Sequence, residues 1–220
     1  MNQVTTGIRS ILSRPAVYEL WSRAVGGKHG RSSLIGEYVR PAPDSRILDL
    51  GCGPGELLEF LPESVSYVGV DISEEYIHRA RKRFGASAEF HVGDATNVGR
   101  DLGDFDLVLA FGVLHHLDDT LVANLFAGAA AVLRPTGRVV TVDPVFAPGQ
   151  SRVARLVIER DRGQHVRDRD AYAAIASKSF ANVTATVRDD LLRIPYTHCI
   201  LKCEAAAPAV GGAPAVGGAS

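Results

Sequence analysis

Ile47-Leu48-Asp49-Leu50-Gly51-Cys52-Gly53-Pro54-Gly55 is a short apolar run that carries an acid and then breaks into alternating glycines. A buried parallel strand hands its chain to a ligand in this way, at its carboxyl end. Gly51, Gly53 and Gly55 remove Cβ atoms where the backbone turns sharply and comes close to a small molecule. A glycine-rich turn alone is weakly specific. Its meaning depends on the residues placed after it and on their spacing.

Six more apolar runs read as strands: Tyr67–Val70, Ala88–Val92, Phe105–Phe111, Arg138–Asp143, Val183–Arg188 and His198–Cys203. Amphipathic stretches fall between most of them. Ser73 caps a predicted helix over Glu74–Phe84, with acids in its first turn and Arg81, Lys82 and Arg83 near its end, as the helix dipole favours. A second helix, Leu121–Leu133, is predicted to stop at Pro135 and Gly137. Strand–helix alternation with nearly all-apolar runs predicts a Rossmann-like α/β fold, a seven-stranded, mostly parallel sheet with helices on both faces. The short Asp189–Thr197 link, interrupted by Pro195, leaves no room for a helix, so the last two strands are expected to close as an antiparallel hairpin.

The chain has 220 residues, 46% of them apolar, enough for one sizeable globular core. With 24 basic against 25 acidic groups, the charge balance points away from a polyanion, so nucleic acid is not an expected partner. There is no apolar run of membrane-spanning length and no signal-peptide core near Arg9, Ile11-Leu12 and Arg14, so a cytoplasmic location is expected. Cys52, Cys199 and Cys203 show neither CxxC nor zinc spacing and read as reduced thiols, with no metal site.

Four places fall at strand ends that share one edge of such a sheet, where open α/β sheets bind ligands. They are the glycine turn; Asp71 in Val68-Gly69-Val70-Asp71; Gly93-Asp94-Ala95; and Phe111-Gly112-Val113-Leu114-His115-His116. An acid about twenty residues beyond a glycine turn accepts hydrogen bonds from both hydroxyls of a ribose. Gly93-Asp94-Ala95 is placed to meet an adenine edge. Each acid has a plainer reading as a helix cap or a turn residue. The convergence of the whole set on one edge favours ligand binding.

Asp49-x-Gly51-x-Gly53-x-Gly55, Gly69-Val70-Asp71-Ile72-Ser73, Gly93-Asp94-Ala95, Phe105-Asp106-Leu107-Val108 with Leu114-His115-His116-Leu117, and Leu133-Arg134-Pro135-x-Gly137-Arg138 as a turn into the fifth strand together resemble the class I S-adenosylmethionine-dependent methyltransferases. The resemblance runs in order over residues 44–143, and the closing hairpin extends it to about 204. It implies that Asp49, Gly51, Cys52 and Gly53 surround the methionine part of S-adenosylmethionine. It implies also that Asp71 holds the ribose and Ile72 packs on the adenine. Asp94 and Ala95 would recognise the adenine amino group, and Phe111 and Gly112 would border the sulfonium. A cationic sulfur suits an edge of carboxylates and carbonyls better than the amide-rich cradle of a phosphate site.

Methyl transfer chiefly requires that nucleophile, methyl and sulfur be held in line. A general base matters only where the acceptor has a proton to lose. His115 and His116 are the leading candidates, one of which is expected to pack or hydrogen-bond locally. His29, in a predicted glycine break at Gly26–Gly30, and His165 read as exposed loop histidines. The resemblance divides the chain into an N-terminal helical cap over 1–43, a core over 44–204 with an acceptor-side insertion at 144–180, and a low-complexity tail over 205–220. That tail repeats Ala207–Gly212 as Ala213–Gly218 and is expected to be disordered. Within the insertion a helix is predicted with Val153, Leu156 and Val157 on one face. Arg152, Arg155, Arg160, Arg162, Arg167 and Arg169 suit either an anionic acceptor or, the preferred reading, a solvated surface with pairs such as Arg155/Glu159.

The acceptor is expected to be a small or lipid-like molecule, because the fourth-strand motif departs from the Asp/Asn-Pro-Pro-Tyr type of nucleic-acid amino methylation. Two alternatives stand beside this. A nicotinamide-dependent oxidoreductase shares the glycine turn and Asp71, but its Gly-x-Gly-x-x-Gly spacing and a Tyr-x-x-x-Lys pair are missing. The other is a non-catalytic protein that binds S-adenosylmethionine.

Overall fold

The structure is a computed structural model that describes residues 27–160 and 163–204. The expectations for residues 1–26, Arg162 and the tail 205–220 lie outside the described residues. In chain order the strands are β1 (Arg46–Leu50), β2 (Ser66–Asp71), β3 (Glu89–Val92), β4 (Phe105–Phe111), β5 (Leu133–Phe146), β6 (Arg167–Asp168), β7 (Asn182–Arg188) and β8 (His198–Glu204). The helices are α1 (Gly27–Leu34), α2 (Glu74–Phe84), α3 (Asp119–Val132), α4 (Arg152–Glu159) and α5 (Arg169–Ala176). Seven strands run in the order β3-β2-β1-β4-β5-β8-β7, and β6 pairs with β5 off that path. The first five are parallel, and β8 is antiparallel to both β5 and β7, as the closing hairpin requires.

Alternation along each strand sends side chains to two separate cores. Ile47, Leu107, Leu109, Val140 and Ile200 face one side, under Leu34, Ile35 and Val39 and under Ile77 and Ala80 of α2. Leu48, Val108, Ala110 and Val139 face the other, under Phe126 and Ala129 of α3 and Tyr172 and Ile175 of α5. Both faces are covered, which is why the strands read as unbroken apolar runs. Helix α2 has the predicted bounds, and the Ser73 hydroxyl accepts from the Tyr76 amide at its start.

Two sequence expectations change. The break at Gly26–Gly30 is, from Gly27 onward, a helix that continues as a π-turn over Ile35–Val39. Gly30 faces the Leu191 carbonyl so closely that a Cβ would lie 2.4 Å from its oxygen, so the glycine serves packing here. The turn at Leu133–Arg138 is a bulge inside β5. Leu133 pairs with Phe105 and Arg138 with Leu107, so Arg134, Pro135 and Thr136 loop into solvent, and α3 ends at Val132 because Leu133 enters the ladder. Helix α4 turns Ala154 and Ile158 inward, and the shared face of Val153, Leu156 and Val157 points outward, with Val153 (55%) and Leu156 (45%) exposed.

Candidate active site

The four strand ends lie side by side, since β3, β2, β1 and β4 are consecutive in the sheet. Gly51, Gly53 and Gly55 all have positive φ, a region that side chains with a Cβ rarely occupy. The amides of Gly51 and Cys52 donate to the Val70 carbonyl, at 2.7 and 3.1 Å, and lash the turn to the end of β2. A Cβ on Gly51 would strike Val113, whereas among the described residues nothing lies within 4 Å of one on Gly53, which leaves that backbone open to a ligand.

Asp71 stands at the end of β2. One carboxylate oxygen accepts from the Gly53 amide at 2.9 Å and the other from the Ser73 amide at 2.8 Å. Each oxygen keeps a further lone pair. Ile72 beside it is 54% exposed, an apolar side chain held at the surface where a flat ring could lie. Asp94 directs one oxygen into its own turn, to the amide and hydroxyl of Thr96, both at 2.8 Å, and Ala95 is buried beneath. Gly112, with φ of +72°, is exposed, and Phe111 before it is half-buried.

Two predicted contact residues sit behind this rim. Asp49 is 1% exposed and accepts from the Tyr67 hydroxyl at 2.5 Å. Burial pushes its carboxyl up to about 7, and the charge of Asp71 adds to this while the Tyr67 hydrogen bond opposes it. The Cys52 side chain is buried over Gly69, where a Cβ would lie 2.7 Å from its sulfur. Burial raises this thiol far above its ordinary value, so it is inert.

The two histidines have different surroundings. His115 is 5% exposed, and Oδ1 of Asp143 takes both its ring Nδ1 (2.8 Å) and its backbone amide (3.1 Å). Gly163 lies on the other side of its ring. His115 is thus hydrogen-bonded locally. His116 is half-buried, with its ring centroid 4.0 Å from that of His115. His29 and His165 are exposed, as expected of loop histidines, although His29 lies in α1.

A cavity of about 590 Å³ opens beyond β5, between the link to α4 and the β7–β8 loop. Strand β7 runs in the same direction as β5, so both loops rise from the carboxyl edge that also carries the glycine turn. Gln150, Ser151, Ala154, Arg193, Tyr196 and Thr197 are among its lining residues. None of the five described arginines of the insertion lines it. Arg155 pairs with Glu159, Arg169 with Asp170 and Arg167 with Asp119, as a solvated surface predicts for the first two. Sequence reasoning missed Tyr67, Asp143 and Arg193. Asp143 carries a legible signal, an acid interrupting the apolar run Val139–Val145, whereas nothing local marks the other two.

Residues 47–137 match a family model described as a methyltransferase domain. An uncharacterized methyltransferase of Synechocystis sp. is 32% identical over 134 residues, covering 59% of this chain and 63% of the relative. A 27-O-demethylrifamycin SV methyltransferase of Amycolatopsis mediterranei is 34% identical over 110 residues, 47% of this chain and 40% of that protein. The chain thus spans less than two thirds of the length of these curated relatives. In fold it is similar to a TehB-like S-adenosylmethionine-dependent methyltransferase from Corynebacterium glutamicum, with TM-score 0.61 and 19% identity over 87% of this chain and all of the other. Among the described residues no helix is long and apolar enough to cross a membrane.

Proposed function

We propose that this chain, which belongs to the class I S-adenosylmethionine-dependent methyltransferases, transfers the sulfonium methyl group to a small or lipid-like acceptor. One observation carries the reading. Asp71, with spare lone pairs on both oxygens, stands beside the exposed Ile72 and the open backbone of Gly53 and Gly112, all on one edge.

The residues fit the donor. Asp71 would bind the two ribose hydroxyls, Ile72 would cover one face of the adenine, and the free oxygen of Asp94 would accept from the adenine amino group. Phe111 and the Gly112 backbone would lie along the sulfur. Asp49, bonded to Tyr67 behind the turn, would add negative potential beneath a cation in its ionised form. The donor, when bound, supplies an electrophilic methyl on a positively charged sulfur. The chain's part is to orient the two reactants and exclude water, which needs no covalent intermediate. His116 is the group we assign to take a proton from a protic acceptor. His115, sealed against Asp143 and Gly163, would hold the turn on which His116 sits.

The cavity beyond β5 is the proposed acceptor site. Its volume of about 590 Å³ is that of a drug-sized pocket, and among the described residues a single cation, Arg193, and a single acid, Asp189, line it. Such a lining suits a largely uncharged acceptor. The relative named as a 27-O-demethylrifamycin SV methyltransferase supports a small-molecule acceptor.

Thermal shift with S-adenosylhomocysteine, S-adenosylmethionine and NAD tests the donor. The sulfonium donor and its thioether product are expected to raise Tm progressively with the logarithm of ligand excess, and NAD to leave it unchanged. The opposite pattern overturns the reading. Transfer of tritiated methyl to a panel of phenols, amines, keto acids and phospholipid vesicles then tests the acceptor class.

A further inference from the structure

Residues 163–168 cross the turn that comes after β4 and lie against it. A Cβ on Gly163 would fall 2.0 Å from the His115 ring and 2.7 Å from its carbonyl oxygen, so only glycine permits this approach. The His165 amide donates to the His115 carbonyl at 3.0 Å, and β6 adds itself to the end of β5 through Val145 and Phe146.

The Arg167 side chain, 8% exposed, closes the arrangement. Its Nε and Nη2 reach Asp119 Oδ1 at 2.8 and 2.7 Å. Its Nη1 donates to the carbonyls of Leu114 (3.1 Å) and His165 (2.8 Å), and Nη2 donates to the carbonyl of Leu117 (2.7 Å). These contacts match the five N–H donors of a guanidinium. A buried cation is expensive unless fully bonded, and a lysine could satisfy at most three of these acceptors. From beneath, Asp143 holds both the amide and the ring of His115. The turn is gripped on two sides.

We propose that Arg167 is a positioning residue. It clamps the acceptor-side segment onto the Leu114–Leu117 turn and so sets the separation between the donor crevice at Gly112 and the cavity beyond β5. The proposal rests on the methyltransferase reading, because the turn matters only if Phe111 and Gly112 meet the donor. Hydrogen exchange at the turn reports the clamp whether or not the donor binds.

The test compares Arg167→Gln, Arg167→Lys and, as a control on an exposed pair, Arg169→Gln. The readouts are amide hydrogen exchange and calorimetric binding of S-adenosylhomocysteine. Arg167→Gln is expected to speed exchange at 113–117 and 165 by about tenfold or more, with β1 and β4 as protected as before. Affinity for S-adenosylhomocysteine should fall about tenfold, with Arg167→Lys intermediate and Arg169→Gln unchanged. If Arg167→Gln fails to fold, Gly163→Ala, which keeps the charge and wedges the same contact, must show the local loss of protection. Exchange that rises evenly across the whole sheet, or a turn and an affinity like wild type, overturns the clamp. Failure of the wild-type chain to bind S-adenosylhomocysteine defeats the methyltransferase reading instead, and the exchange pattern still decides whether Arg167 holds the turn.

Discussion

Asp49 and Asp71 are the same residue type on neighbouring strands, with opposite surroundings. Asp71 is half-buried and holds two backbone amides, while Asp49 is sealed with the Tyr67 hydroxyl. Their substitutions should therefore differ. Asp71→Ala removes a charged acceptor from the rim, and binding of S-adenosylhomocysteine should weaken at least tenfold by calorimetry, since hydrogen bonds to charged groups contribute about 1.5–3 kcal/mol. Unchanged affinity rejects the assignment of ribose to Asp71. For Asp49 the readout is stability. Its folded carboxyl is raised to about 7 from 3.8, so the unfolded chain ionises first. Its contribution is fully present below pH 4 and is lost as pH rises to about 7, by up to roughly 4 kcal/mol. Asp49→Asn does not ionise, so it should gain stability relative to wild type between pH 4 and pH 8 in urea titrations. A difference that is flat with pH removes Asp49 as the buried acid.

At the scale of elements, α1 and the β5 bulge show tertiary packing overriding local rules. Glycines at 27 and 30 weaken a helix by about 1 kcal/mol each relative to alanine, yet α1 forms because Leu34, Ile35 and Val39 bury against the sheet. Two effects oppose one another in Gly30→Ala. Helix propensity favours alanine by about 1 kcal/mol, while its Cβ would meet the backbone oxygen of Leu191 at 2.4 Å. A backbone atom cannot swing aside as a side chain can, so a net loss of about 1–3 kcal/mol is expected in urea unfolding. A stabilised variant would mean that α1 does not rest on that loop. The contrasting element is α2, where cap, dipole and apolar face agree, and there the predicted and observed bounds coincide.

Across the whole molecule, Arg188 joins distant parts. From the end of β7 it donates to Glu37 (2.7 Å) and the Tyr38 hydroxyl (3.1 Å) of the π-turn and to both oxygens of Asp190 (2.6 and 2.8 Å). It thereby pins the first helical segment to the loop that lines the cavity. These hydrogen bonds to Arg188 hold the Asp190 carboxyl down to about 2, and those from Ser33 and Arg188 lower that of Glu37. Lowered acids contribute stability above about pH 4 that is lost as pH falls toward 2. Solvent exposure keeps that contribution small. Arg188→Ala should make limited proteolysis at pH 7 begin within residues 27–45. Equal cleavage rates for the two proteins at pH 7 would show that the network does not fasten this segment.

Periodicity along the chain was enough for the seven strands of the main sheet though not for β6, for helix α2, the closing hairpin and the row of Gly51, Asp71, Asp94 and Gly112, because each depends on residues close in sequence and on one rule of parallel sheets. Arg134 and Pro135 could not announce a bulge, since its cause is the pairing of Phe105 with Leu133 from another strand. Nor could His115 and His116 be told apart as neighbours in sequence. One became a buried partner of Asp143 and the other a half-exposed candidate base only when β5 and Gly163 closed around them. Local pattern settles which residues reach the edge of the sheet. Burial and charge, which settle what each residue does there, are sums over atoms that the chain brings together from far apart.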